Sequence, residues 1–327
     1  MPRTVRLFVL SVVCTLVLSG CGGAGQGVDE TQPQPLLLTP TRGDVYKVQS
    51  TLDQTIEMTI MGQTVEILQT IREDAEIRVD TVFEDGGFGA QVMSTRFRLS
   101  QEGPDSFEEF DSDDPDATPE SDLAVGMAGL ANVPLQMRIS PMGEVVITEG
   151  MDAMYNNMAD LAGVQSRTQR DTIRAYFRET FPPEELAQDY ESEFYAYTTR
   201  PVAAGSTWTV ASATSLLVPT LFEGRLRLDS LVADRVFISG QGDVQSITAD
   251  SVRGTIEGPF RNVDLSGSRD VRIELDRRTG FPLVTTRKQT VSGSGLIRSG
   301  ARELDVQVSL TSRFEQEGTV ARAPGSQ

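Results

Sequence analysis

The chain has 327 residues, 39% of them hydrophobic, and a formal net charge of −18. It has no histidine, and its two cysteines, Cys14 and Cys21, both fall within the first 21 residues. That excludes His-based acid–base catalysis, Cys–His nucleophiles, His or Cys metal sites and any disulfide stapling the body. So acidic a surface repels phosphate backbones, and no nucleic-acid partner is expected.

Residues 1–20 divide into a positive start with Arg3 and Arg6, an apolar run from Leu7 to Leu18, and the small residues Ser19 and Gly20. The run is far short of the ~20 residues that span a bilayer, so it predicts a secretory signal peptide. Leu18-Ser19-Gly20-Cys21 resembles the lipobox of bacterial lipoproteins. The resemblance implies cleavage before Cys21, a diacylglyceryl thioether on its sulfur and acylation of the new amino terminus. Each buried methylene contributes about 0.8 kcal/mol, so two or three such chains anchor a protein essentially irreversibly. It also implies a cell-envelope address. Gly22 stands where a retention aspartate would, so in a two-membrane host the outer membrane facing the periplasm is expected.

Residues 21–42, the lipidated cysteine and a Gly-, Gln- and Pro-rich stretch, read as a flexible tether. Leu36-Leu37-Leu38 interrupts it and is expected to pack as a first edge segment, contact with lipid being the other reading. The body spans 43–318, followed by a disordered tail at 319–327. Over 43–150 period-2 alternation predicts half-buried antiparallel strands, with hairpin turns at Gly86-Gly87 and Pro141-Met142-Gly143. The acidic stretch 107–122 reads as a solvated loop. Counted as a calcium loop from Asp111, it places Pro115 at a ligand position and Asp116 where glycine is needed.

Residues 151–198 switch to helical spacing. Met151, Met154, Met158 and Leu161 follow Gly150, Ile173, Phe177 and Phe181 come next, and Pro183 opens a segment with Leu186, Tyr190 and Phe194 at four-residue intervals. Three amphipathic helices need a large apolar surface, and only sheet offers one. Strands return over 203–317, read as "LVTTRKQTVSG", "SGLIRSG" and a last long strand from Ala301. They echo the first set, "GDVYKV" with "GSTWTV", "IRVDTV" with "LRLDSL", and "MRISPMGEVVI" with "IELDRRTGFPLV", which reads as a duplication, chance likeness between strand-rich segments being the other reading. The expected fold is α+β and β-rich: large antiparallel, curved and duplicated β-meander sheets with a central three-helix layer.

Lipobox, tether, "VYKV", the helical stretch and "RPVAAGSTW" together resemble an uncharacterised family of bacterial lipoproteins, a domain of unknown function. "LDRRTGFPL" is similar to a strand-turn-strand of Lol-type lipoprotein carriers, whose curved sheet and helices surround an apolar cavity. Flexible thioethers and aromatic faces suit an adaptable apolar surface. The candidate ligand-pocket residues are therefore Met151, Met154, Met158, Ile173, Phe177, Phe181, Tyr190 and Phe194, with Cys21 as the lipidation site. The expected function is a non-catalytic module binding a lipid or other apolar ligand, without cofactor or metal. The alternative is a structural or assembly lipoprotein with a filled core that docks on other envelope proteins.

Overall fold

Alternation of apolar and polar residues along each strand sorts the two faces of a sheet. The structure, a computed structural model, describes residues 33–104, 106–163, 166–214, 219–247, 260–299 and 302–322. In β2 (Val45–Ile60), Tyr46, Gln54 and Ile56 are buried while Lys47, Gln49, Asp53 and Glu57 face water. Even-numbered side chains of β2 thus form an inner face and odd-numbered ones an outer face. β3 (Gln63–Val82) and β4 (Phe88–Gly103) continue as an antiparallel meander, turning at Gly86 with φ 81°. β5 (Ser106–Asp111) folds back on β4, and β6 (Leu135–Ile139) and β7 (Val145–Glu149) complete the first half.

The second meander contains β9 (Thr207–Thr214), β10 (Thr220–Val232), β11 (Arg235–Ser246), β12 (Phe260–Asp276), β13 (Pro282–Ser299) and β14 (Arg302–Ala321). Among the described residues, both meanders merge into one 12-stranded antiparallel sheet of order β7-β6-β4-β3-β2-β14-β13-β12-β11-β10-β9, with β5 beside β4. The seam is the pairing of β14 with β2, from Val306 opposite Ile60 to Ala321 opposite Val45. The matched segments "GDVYKV" and "GSTWTV" open the two meanders, each behind a left-handed glycine, Gly43 at φ 89° and Gly205 at φ 86°. β7 and β9 do not pair with each other, so the sheet is open and not a barrel.

Among the described residues, α1 (Asp122–Leu130) lies within the first half, between β5 and β6, and α2 (Met151–Leu161), α3 (Arg167–Thr180) and α4 (Pro183–Glu191) lie between the halves. α4 packs against both β7 and β9, so one helix bridges the two edges that pairing leaves open. A separate two-stranded sheet, β1 (Gln34–Leu36) with β8 (Thr198–Val202), lies nearby in the fold. From β1 the chain runs between two hairpin turns of the large sheet, Leu38 N donating to Pro141 O at 2.9 Å and Thr39 N to Thr279 O at 2.8 Å. Beneath it Tyr46 stacks on Phe281 with centroids 4.7 Å apart, and Phe88 meets Phe281 edge-on at 6.1 Å. This aromatic nucleus holds the turn end of the sheet, where strands, helices and the β1 segment meet in the main core.

Glycines mark where the sheet bends. Gly224 on β10, Gly240 and Gly242 on β11, Gly267 on β12, and Gly293 and Gly295 on β13 all fall on the inner face, and their registers step diagonally across the strands. A Cβ on Gly267 would collide with the carbonyl oxygen of Thr290, and one on Gly293 with that of Asp264. Backbones therefore converge on this face along a crease, which curves the sheet inward.

Several boundaries differ from the sequence expectation. Helix α1 adds a fourth helix; Gly126 and Gly129 weaken its intrinsic propensity, but they allow Phe181 and Met158 to pack directly on its backbone. The acidic stretch opens as β5, whose Phe110 is buried, and closes on Ser121, which caps α1 by accepting from Ala124 N at 3.1 Å. β13 runs unbroken through Gly293 and Gly295, because those glycines serve the crease and not a turn. Ordered structure reaches back to β1, where Leu36 and Leu38 are buried as the packing reading expected, and β14 stays paired to Ala321. Residues 1–20, Cys21 and the start of the tether lie outside the described residues.

Candidate functional site

Polar side chains break the apolar parity of the inner face, most continuously in one transverse row. Register aligns Gln101, Gln69, Gln54, Ser312, Gln289 and Arg269 across β4, β3, β2, β14, β13 and β12, and the row ends on Gly242 and Gly224. Gln54, Gln69, Gln289 and Arg269 are buried. One row nearer the turn end, Arg287 places its guanidinium carbon 3.8 Å over the Phe314 ring. The segment after α4 crosses here: Arg287 donates to Ser192 O at 3.0 Å and to Glu193 Oε1 at 2.7 Å. Tyr195 meets Phe222 edge-on at 5.9 Å. Beyond the row the inner face turns apolar again, with Ile56, Val244, Leu265, Val291, Val306 and Val308 buried.

The hydrogen bonding of this belt is incomplete. Among the described residues, buried polar atoms without a partner include Gln54 Oε1, Gln69 Oε1, Ser212 Oγ, Tyr195 OH, Glu193 Oε2 and Arg269 Nη1. Buried polar atoms ordinarily find partners in protein or water, so such a concentration on one face is a functional signal. Burial and the neighbouring Arg287 lower the Arg269 pKa to about 10, and burial raises Tyr195 to about 12. Two rows from Arg269 toward the turn end, Glu73 accepts from Ser94 Oγ at 2.5 Å. Burial, joined by the charges of Glu193 and Asp74, raises its carboxyl to about 7 against the opposing Ser94 hydrogen bond.

The residues singled out from helical spacing occupy the main core. Met154, Met158, Phe177 and Phe194 are buried there, while Met151, Ile173, Phe181 and Tyr190 pack against it partly buried. Met158 lies against Gly129 of α1, and Tyr155 donates from its hydroxyl to Phe181 O at 2.7 Å. Sequence reasoning missed the belt residues, whose one signal is polarity at inner-parity positions. On the outer face a depression of 390 Å³ lies between Asp53, Thr55, Leu68, Thr70 and Arg313.

Among the described residues, no three acidic side chains converge in a way that would hold a metal ion. The acidic stretch uses its carboxylates locally: Arg96 Nε donates to Asp111 Oδ1 at 2.9 Å, and Glu108 accepts the Glu120 and Ser121 amides, each at 2.9 Å.

Known proteins supply a family and distant likenesses. No curated protein matches the chain. Among solved structures, the chain is similar to lipovitellin, from a study of lipid–protein interactions, at 9% identity and TM-score 0.48, over 88% of this chain and 26% of that one. It therefore spans about a quarter of the lipovitellin chain. Likeness to the Pseudomonas aeruginosa protein OccK5 (OpdH) has 7% identity and TM-score 0.23, over 84% of this chain and 98% of that one. An outer membrane channel from Pseudomonas putida F1 matches at 7% identity and TM-score 0.19, over 90% and 100% of the two chains. The model of one family covers residues 85–282, more than half of the chain, and the protein belongs to that family, the family of unknown function DUF6263.

Proposed function

We propose that the protein is a membrane-anchored envelope lipoprotein, tethered through Cys21, whose body is a non-catalytic module that takes up a lipid-like ligand inside its curved sheet. The observation that carries this reading is the belt of partnerless buried polar atoms, set on an inner face that turns apolar beyond it at Val291, Val306 and Val308. A ligand with a hydrocarbon part and a polar part complements both at once. In this reading the Met and aromatic residues of α2, α3 and α4 are the wall behind the site, and the crease gives the sheet its concavity.

Full-length protein, purified from native membranes in mild detergent, is extracted under denaturing conditions and analysed by mass spectrometry. The expected result is a lipid-like molecule in near-stoichiometric amount, absent from another envelope lipoprotein prepared in parallel. Finding none overturns the reading.

A second reading, a structural or assembly lipoprotein, is favoured by one observation: Met154, Met158, Phe177 and Phe194 are fully packed in the main core. Crosslinking in intact cells then recovers one defined envelope protein, and the extraction recovers no lipid beyond the anchor.

A further inference from the structure

Arg269 is 5% exposed, and among the described residues no carboxylate forms an ion pair with it. Its Nε and Nη2 both donate to Gln289 Oε1, at 2.8 and 2.6 Å, and its guanidinium carbon sits 4.9 Å over the Phe222 ring. These contacts fix the group and leave Nη1 without a partner. The nearby cation Arg287 differs, because Glu193 compensates it at 2.7 Å. Glu73, whose pKa is raised to about 7, is only partly ionised near neutral pH and stands on β3, four strands away from Arg269 on β12. Around Arg269 the two guanidiniums therefore outweigh the single carboxylate of Glu193, which pairs with Arg287.

A buried charge lacking a counter-charge is strongly destabilising. Water answers the hydrogen-bonding need but leaves the charge, whereas an oxyanion answers both through a charge-assisted bond to the free Nη1. The register beside Arg269 continues onto Gly242 and Gly224, which carry no side chains, and the Phe222 ring lies over Gly224. On the other side, Val291, Val308 and Val306 continue the inner face away from the turn end as an apolar track, Val308 and Val306 standing opposite Gly293 and Gly295.

We infer that Arg269, positioned by Gln289 and Phe222, binds the anionic head, carboxylate or phosphate, of an amphiphile whose hydrocarbon lies along the track of Val291, Val308 and Val306. This assignment rests on the lipid-binding reading above and adds the chemistry of the head group.

The test uses full-length protein in detergent and four probes: a fluorescent fatty acid, the alkyl phosphate and the neutral alcohol with the same labelled chain, and inorganic phosphate. The expected result is that fatty acid or alkyl phosphate binds at least about tenfold more tightly than the alcohol, the stronger of the two identifying the head. Arg269→Gln removes that preference and retains alcohol binding. Equal affinity of wild-type protein for alcohol and anions overturns the head-group assignment and leaves the lipid reading standing. Failure of every chain-bearing probe to bind overturns both. Inorganic phosphate binding as tightly as alkyl phosphate replaces the amphiphile with a free anion and overturns the assignment. Should Arg269→Gln fail to fold, the wild-type comparison decides alone, because three of the probes differ only at the head.

Discussion

Arg287 on β13 donates from Nη2 to Glu193 Oε1 at 2.7 Å, joining residues 94 positions apart across the interface between sheet and helical layer. The guanidinium is nearly buried, Phe314 lies under it, and Ser192 O takes a second hydrogen bond. Removing the cation strands the Glu193 carboxylate against the belt. Arg287→Met is expected to lower the unfolding free energy by about 3 kcal/mol, and adding Glu193→Gln to restore a large part of it. Urea denaturation of both variants measures this; an unchanged midpoint for Arg287→Met would show that the pair does not hold the layers together.

Much of this architecture is legible in the residues. The parity of Tyr46, Val48 and Ile56 gives β2, and Pro183 with Leu186 and Tyr190 gives α4, because each local signal agrees with the burial it finally meets. Helix α1 is hidden by Gly126 and Gly129, whose low propensity is overridden by packing against Phe181 and Met158. Gly293 and Gly295 look like a turn and act as a crease, since one residue type serves both purposes. The belt is least legible. Arg269 shares inner parity with Leu265, Val271 and Ile273, an anomaly visible in one strand, but its alignment with Gln289 and Gln54 depends on registers between distant segments.

The crease yields a sharp contrast between glycines. At Gly267 and Gly293 an added Cβ would strike the neighbouring strand's carbonyl oxygen, and backbone cannot move aside cheaply. Either Ala substitution is expected to cost about 3 kcal/mol by overpacking. Gly89, also in a strand, has its nearest such contact at 3.6 Å, on the Phe83 ring, so Gly89→Ala is neutral or slightly stabilising. Equal thermal midpoints for all three variants would mean that the close approach does not shape the sheet.

The proposed lipid anchor is on Cys21, and no described helix is long and apolar enough to cross a membrane. Cys21→Ser is expected to move the protein from the membrane fraction to the soluble fraction of lysed cells, and radiolabelled palmitate to mark only the parent chain. Sedimentation of the variant with membranes would require another attachment.

The raised carboxyls give stability an unusual pH dependence. Glu73 and Glu185 both titrate near 7 in the folded protein, chiefly through burial, against an ordinary value of 4.5. Between those values the folded state binds more protons than the unfolded chain, so stability falls as pH rises from about 4.5 to 7 and levels off above. Opposite behaviour comes from Asp111, which the Arg96 hydrogen bond holds below the usual carboxylate range, and from Asp85, lowered by the Gly87 amide. Their contribution is lost only as pH falls below about 4. From these groups stability is therefore greatest near pH 4, between the two windows. Glu73→Gln keeps an acceptor for Ser94 but carries no proton to lose, so it gains on wild type between pH 5 and pH 8 and matches it most closely at pH 5. Urea titrations at the two pH values read this difference directly, and parallel profiles for variant and wild type would place the Glu73 carboxyl in an ordinary, hydrated setting.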